Sequence, residues 1–368
     1  MPTVLHVLEA LEGGTARHLV DVVRHAHGVR HLVAIPEQRT GGLTDRQASR
    51  RLAGCGAEIQ TLDLHRRPWS VANALGAATL RAMVRRRADM VHPHSAIGGL
   101  VGRLALIGVP VPCVYTPNGI TSVRAGQVVE RMLARRTDQF VAVSASEGEL
   151  ALSLGLVDRS RLAVIPNGVE LEPPPAPLEP RAHLGLAPDA PLIGTIARLV
   201  PQKAPEDFVR AVAVVRQHHP AAHAVLVGDG PLRARVHTAI AELGLGERLH
   251  VLPELSGAAG VLGQLDVFAL SSRFEGGPYA PLEAMRAGTP VVLTDVVGNR
   301  DVVRHGASGL LVPGGHPHAL GSAISGLLAD PAERHRLGMG GQARVRSEFD
   351  VRVMGARLTG VYRRLTRD

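Results

Sequence analysis

The stretch "SSRFEGGPYAPLEAMRAGTPVV", residues 271–292, combines residue types suited to holding a phosphate. Its pattern predicts a strand ending at Ser271, a glycine-containing turn, and a helix opening near Pro278. A helix start presents backbone N–H groups without helical acceptors and a partial positive charge, so phosphate is its natural occupant. Pro278 and Pro281 suit such a first turn. Two carboxylates frame it, Glu275 before the turn and Glu283 in the helix. A carboxylate offers only acceptors, so one just behind a phosphate can chelate a ribose diol. The same residues also fit a plainer reading, with Glu275 capping the helix and Glu283 solvated on its face.

A second locus lies at "LIGTIARLVPQK". The strand is expected to end at Arg198, and "LVPQK" carries Lys203 to the start of the next helix. Lys203 is the only lysine among the 41 lysines and arginines. Arginine grips two phosphate oxygens as a fork, whereas lysine is a compact point charge on a flexible stem. A diphosphate has room for both.

His92 and His94, in "DMVHPHS", point to the same side of a strand. A metal reading lacks a third ligand at a suitable spacing. His92 is therefore expected to be a polar core residue and His94 to stand at the rim of a ligand pocket. The chain has no DxD sequence that would hold a metal.

The elements that must carry these residues follow a βαβα rhythm. Short β-branched runs such as "VLHVL", "HLVAI", "DMVH" and "FVAVS" alternate with segments of helical period such as "TARHLVDVVRHAH". That rhythm calls for parallel sheets covered on both faces, hence an α/β fold. "ELEPPPAPLEP", residues 170–180, carries five prolines and reads as a stiff linker. The rhythm resumes at "PLIGTIARL", "HAVLVGDG", "LHVLPE", "VFALSS", "TPVVLT" and "GLLVP". Two doubly wound, Rossmann-like domains are expected, 1–169 and 181–349, with an amphipathic helix over 350–368 closing the chain. Ligands of such sheets bind beyond the carboxyl ends of the strands, and two facing sheets create a cleft.

Composition narrows the function. Length favours two domains, and 45% hydrophobic residues can bury two cores. Aromatics make up only 2%, which speaks against base stacking and hence against a nucleic-acid binder. Net charge is +8, of which +6 falls in residues 1–170, partly as clusters such as Arg85, Arg86 and Arg87. These fit an anionic membrane surface, an acidic partner, or a solvated helix face. Cys55 and Cys113 have no CxxC spacing, which fits a reducing compartment. The first residues lack the basic region of a signal peptide, and the longest apolar run is broken by Pro110, Pro112 and Pro117. The expectation is a cytoplasmic protein, extending to peripheral contact on the inner face of the membrane. Trp69, the only tryptophan, is expected in the core or lining the ligand pocket.

Taken together, "LEGGTARHLV", "DMVHPHS", "VYTPNG", "FVAVSASE", "LAVIPNGVEL", "IARLVPQK", "VLVGDGPL", "EGGPYAPLEAMRAGTPVV" and "GNRDVVRHGASGLLVP", in this order across nearly the whole chain, resemble the retaining glycosyltransferases of family 4, with the GT-B fold. That resemblance implies a sugar transferred from a nucleoside-diphosphate donor, UDP favoured over GDP, with no metal or other cofactor. It implies an N-terminal acceptor domain, a C-terminal donor domain, and a final helix that packs back on the first. Arg198 and Lys203 would bind the donor diphosphate; Glu275 would lie near the sugar and Glu283 on the ribose. The amides of Gly276, Gly277, Tyr279, Ala280 and Leu282 would face sugar and phosphate. Gly13 and Gly14 would form the glycine loop closing over the diphosphate, and Gly228, Leu252 and Pro253 would complete the donor site. Asn118 stands where many relatives carry a histidine that contacts the donor sugar, and Pro281 removes one N–H donor. Expected acceptors are a small molecule or a glycolipid or glycan precursor. An epimerase of the same fold and a non-catalytic nucleotide-sugar binder are the alternatives.

Overall fold

The computed structural model describes residues 1–36, 46–120, 123–172, 179–253 and 259–366. The chain divides into two compact units, Met1–Asn167 with Val351–Asp368, and Gly168–Asp350. Most of the proline-rich stretch, residues 173–178, lies outside the described residues.

In the first unit, strands β1 (Thr3–Val7), β2 (Arg30–Ile35), β3 (Glu58–Thr61) and β4 (Met90–Pro93) form a parallel sheet in the order β3-β2-β1-β4. Three more, β5 (Val114–Tyr115), β6 (Gln139–Ala142) and β7 (Leu162–Val164), form a second parallel set. Isolated parallel bridges from Val91 to Cys113 and from His94 to Thr116 tie β4 to the chain around β5. Every residue of β1 is buried, as expected for a parallel strand with helices on both faces. Helix Val351–Leu365 belongs to this unit: Val351, Met354, Leu358, Val361 and Tyr362 fall at helical spacing and share a core with Val4, Val22 and Met90. Each such side chain, fully buried, contributes about 1.5–3 kcal/mol.

In the second unit, six parallel strands run in the order β10-β9-β8-β11-β12-β13: β8 (Leu192–Ile196), β9 (His223–Val227), β10 (Leu249–Leu252), β11 (Val267–Leu270), β12 (Val291–Thr294) and β13 (Leu310–Val312). The reversal of strand order lies between β8 and β11, the position where open α/β sheets bind ligands. Aliphatic layers cover both faces, one containing Ile193, Phe208, Val225's neighbours Ala224 and Leu226, and Val292, the other Leu192, Phe268, Leu282 and Leu293. Both units are therefore the expected doubly wound α/β sheets.

Trp69 departs from expectation. It is 81% exposed and so is no part of the core. The loop that carries it, Arg66 to Trp69, is exposed throughout and ends at Ser70, which caps helix Val71–Arg87. Among the described residues no helix is long and apolar enough to cross a membrane.

Candidate active site

The second unit gathers the cations and carboxylates named above at the ends of β8 and β11. Arg198 follows β8 by two residues, half-buried, and its guanidinium has no partner among the described residues. Lys203 ends the short 3-10 helix Pro201–Lys203, ahead of helix Pro205–His218. Its Nζ donates to Glu275 Oε1 at 2.5 Å, and Ser272 Oγ donates to the same oxygen. Glu275 is 5% exposed, so the pair is largely removed from water. Instead of capping the helix, Glu275 receives the ammonium. Ser271 Oγ donates to the carbonyls of Lys203 and Ala204, both at 2.9 Å, and Ala204 takes φ +45, a left-handed geometry costly for a residue with a Cβ. The lysine is thus held by strained, well-bonded backbone.

The turn that follows is equally constrained. Gly298 has φ +84, and a Cβ there would lie 2.6 Å from the Gly276 carbonyl oxygen and 2.8 Å from Glu275 Cβ. Helix Tyr279–Arg286 then begins behind Pro278. Pro278 and Pro281 have no N–H, which leaves the amides of Tyr279 and Ala280 to point out of the helix end. Leu282 stands one position further in, where the helix takes its amide; its side chain is buried in the core. Glu283 is half-buried on the same helix. Gly228 donates its N–H to the Leu252 carbonyl at 2.9 Å, so the ends of β9 and β10, with Pro253 beyond, join the same edge.

In the first unit, Gly13 and Gly14 open helix Gly13–His25, exposed, with Gly13 at φ +54. Asn118 follows β5 in a left-handed turn at φ +54, which asparagine tolerates better than most residues. Glu147, fully buried, holds that turn: Oε1 accepts from Gly119 N at 2.6 Å and Oε2 from Val143 N at 2.7 Å. Replacing Glu147 with Ala strands one buried and one half-buried N–H group and should cost about 1–3 kcal/mol. Urea denaturation checks this; a loss below about 0.5 kcal/mol would contradict it.

His94 is not at a rim. It is 0% exposed and joins a ladder of imidazoles that only the fold assembles. His31 Nε2 donates to the Ala26 carbonyl at 3.0 Å, and His6 Nε2 donates to His31 Nδ1 at 2.9 Å. His94 Nε2 in turn donates to His6 Nδ1 at 3.1 Å. The carbonyl at one end, which can only accept, assigns every proton along neutral rings. His92 bridges Tyr362 Oη and Thr116 Oγ1 at 2.7 and 2.8 Å, the polar core role expected of it. The third nitrogen absent from the sequence reading is supplied by His6, since His6, His92 and His94 place ligand atoms within 4.8 Å of one another. The nitrogens of His6 and His92 are engaged in the hydrogen bonds just given, so the trio reads as a polar network.

Residues beside this ladder carry no motif-level signal. Ser95 has φ +63 and ψ 178, a region otherwise left to glycine and worth about 1–3 kcal/mol of strain. Its Oγ donates to the Glu9 carboxylate, which also accepts from Gly98 N at 3.2 Å. Burial pushes the Glu9 carboxyl up despite these bonds. Such strain clusters at working sites.

Burial also drives the pKa of His6, His18, His31, His92 and His94 below the usual 6.5, at His18 to about 4. The unfolded chain takes up protons there near pH 6.5 while the folded chain resists. Their contribution to stability is therefore full above that pH and lost as the pH falls toward 4. His18 alone accounts for about 3 kcal/mol. The melting temperature should fall steeply from pH 6.5 to 4; a flat profile across that interval would contradict the buried neutral cluster.

Comparison with known proteins agrees with this geometry. The family described as "Glycosyl transferases group 1" matches residues 179–344, and "Glycosyltransferase Family 4" matches residues 12–173. A D-inositol 3-phosphate glycosyltransferase of Nocardia farcinica is 30% identical over 358 residues, covering 90% of this chain and 75% of the relative. An Escherichia coli UDP-Gal:alpha-D-GlcNAc-diphosphoundecaprenol alpha-1,3-galactosyltransferase is 30% identical over 249 residues, covering 63% of this chain and 64% of the relative. Among solved structures, Anabaena HepE in complex with UDP and glucose aligns with a TM-score of 0.85 at 22% identity, covering 99% of this chain and 100% of its own. Sucrose-phosphate synthase from Thermosynechococcus elongatus aligns at 0.83 and 21% identity, covering 99% of each. The chain belongs to the group 1 glycosyl transferases of family 4, and is a glycosyltransferase with the GT-B fold.

Proposed function

We propose that this glycosyltransferase moves a sugar from a nucleoside-diphosphate donor to an acceptor hydroxyl or amine with retention of anomeric configuration. The observation that carries the reading is the cationic pair at the end of β8, Arg198 without a side-chain partner among the described residues and Lys203 held by Glu275, beside a helix start. The bond from the anomeric carbon to the diphosphate breaks as the acceptor oxygen or nitrogen bonds to that carbon. The acceptor proton passes to the departing phosphate on the same face. Negative charge on the leaving group grows as its bond breaks, so cations and amides aimed at it act chiefly on the transition state. These groups supply the neutralisation without a metal. Glu283 holds the ribose, and Asn118 belongs to the sugar side.

UDP is the favoured nucleotide, supported by the UDP complexes of HepE and by the UDP-galactose relative. A hydroxyl-rich acceptor is supported by the relatives named for D-inositol 3-phosphate, and a lipid-linked one by the undecaprenol-linked relative.

The test is release of nucleoside diphosphate from UDP-, GDP- and ADP-sugars, with D-inositol 3-phosphate and polyprenyl diphosphate sugars as acceptors. UDP release that requires an acceptor, persists in chelator, and yields a product of unchanged anomeric configuration is expected. Conversion of the nucleotide sugar without any acceptor would instead identify an epimerase, and tight binding with no release a sensor.

A further inference from the structure

The amino ends of the first unit's strands frame a cavity of about 720 Å³. Thr3, Arg30 and Glu58, which open β1, β2 and β3, all line it. Ligands of open α/β sheets ordinarily bind at the other edge, beyond the carboxyl ends, where Asn118 and His94 stand. This recess is therefore separate from the site of sugar transfer. Its volume is that of a small-molecule pocket, ~300–1,000 Å³.

The charge around it is one-sided. Arg24, Arg30, Arg86 and Arg87 line the cavity against a single carboxylate, Glu58, a net of three positive charges. Arg87 Nη2 donates to Glu58 Oε1 at 2.6 Å. Arg30 donates from Nε and Nη2 to the neutral Thr3 Oγ1, at 3.2 and 2.9 Å, so its charge meets no counter-charge there. The exposed Arg86 side chain has no hydrogen bond or ion pair among the described residues. Helices Gly13–His25 and Val71–Arg87 end beside the cavity, and each contributes about half a negative charge. Neutralising two helix ends thus accounts for about one of the three charges, and about two are left for an occupant.

The backbone adds donors at the same place. The N–H groups of His27, Gly28 and Val29, three consecutive residues of the lining, have no acceptor among the described residues. Gly28 takes φ +81, the left-handed geometry with which successive N–H groups form a concave anion nest. A Cβ there would lie 3.2 Å from Arg363 Nη2, so the missing side chain also admits a further guanidinium to this turn. Val23 and Leu32 give the wall buried apolar surface.

We propose that this cavity binds a soluble phosphorylated small molecule, with its phosphate monoester on Arg30, Arg86 and the amides of His27, Gly28 and Val29, and the rest of it against Val23 and Leu32. Arginine forks match phosphate oxygens in pairs, and a monoester near pH 7 carries close to the two charges that the lining leaves unmet. A lipid headgroup has the same chemistry, but a recess of this volume takes in a whole sugar phosphate. The site goes beyond the glycosyl-transfer reading and stands without it.

Backbone amide NMR of the full chain, titrated with glucose 6-phosphate, locates the ligand even when a second molecule enters the donor site. The amides of His27, Gly28 and Val29 should shift and saturate, while glucose at equal concentration leaves them in place. R86E should weaken the affinity read from these amides by about 10-fold or more, since a charge-assisted contact is lost and its sign reversed. Arg86 is exposed and unbonded, so the melting temperature should hold in that variant. R30Q should weaken binding by about 10-fold, and K203A, in the other unit, should leave it unchanged. Amides that do not move, shifts reproduced by glucose, or an unchanged affinity in R86E overturns the proposal. Phosphatidylcholine vesicles containing phosphatidic acid supply the lipid alternative. Retention on them that R86E abolishes, with no amide response to glucose 6-phosphate, would assign the arginines to a membrane surface and overturn the soluble ligand.

Discussion

Replacing Lys203 with Ala should lower kcat by about 10²–10³-fold, the loss typical of removing one charge-stabilising group from a transition state. The ammonium is placed by a 3-10 turn whose last carbonyls are held by Ser271, and its head lies 2.5 Å from a carboxylate oxygen. That contact adds a consequence for folding. Removing the lysine leaves Glu275 buried with Ser272 as its remaining side-chain donor, a change expected to cost about 3 kcal/mol. The double variant K203A/E275Q should recover much of the stability and none of the rate. K203R keeps the charge yet replaces a point donor by a planar fork in a space built for one nitrogen, so it should also turn over slowly. Near-normal turnover by K203A would remove Lys203 from the chemistry.

Gly228→Ala should damage both the fold of the second unit and its turnover. Its φ is +149, and a Cβ would sit 2.1 Å from the Ala197 carbonyl oxygen, a distance at which backbone must move. The segment displaced is the one that bears Arg198 and leads to Lys203. Stability should fall by about 3 kcal/mol, and turnover by at least about 100-fold, since a shift near 1 Å at a reacting group carries that penalty. Gly246 makes the control: a Cβ there meets nothing within 4 Å, so Gly246→Ala should leave both properties nearly unchanged. A well-folded, fully active Gly228→Ala would show that the loop tolerates movement.

These two residues also mark where sequence reasoning reaches and where it stops. The strands were legible because a strand buried on both faces must be a short aliphatic run, as "VFAL" and "VVLT" are. Lys203 and Arg198 stood out by type and by position after a strand. Their local chemistry did not, because Glu275 is 72 residues from Lys203 and only the β8–β11 neighbourhood brings them together. The resemblance puts Gly228 at the donor site; that its missing side chain also makes room for Ala197 is visible only in the fold. The histidine ladder was hidden for the same reason. His6 and His31 sit on β1 and β2 and His94 directly follows β4, and nothing in one strand's pattern reveals the ring on the next. The one usable hint was a polar ring inside otherwise aliphatic β1 and β4. Ser95 escaped notice because backbone strain leaves no mark on residue type. Trp69 was misjudged because a single large apolar side chain carries no periodicity to show which way it faces.

The central claim is that Arg198, Lys203 and the start of helix Tyr279–Arg286 together hold a diphosphate. A crystal structure of the complex with UDP tests it most directly. The account predicts phosphate density within hydrogen-bonding distance of Arg198 and Lys203, with the ribose hydroxyls on Glu283. Well-ordered UDP bound away from all three residues would contradict it.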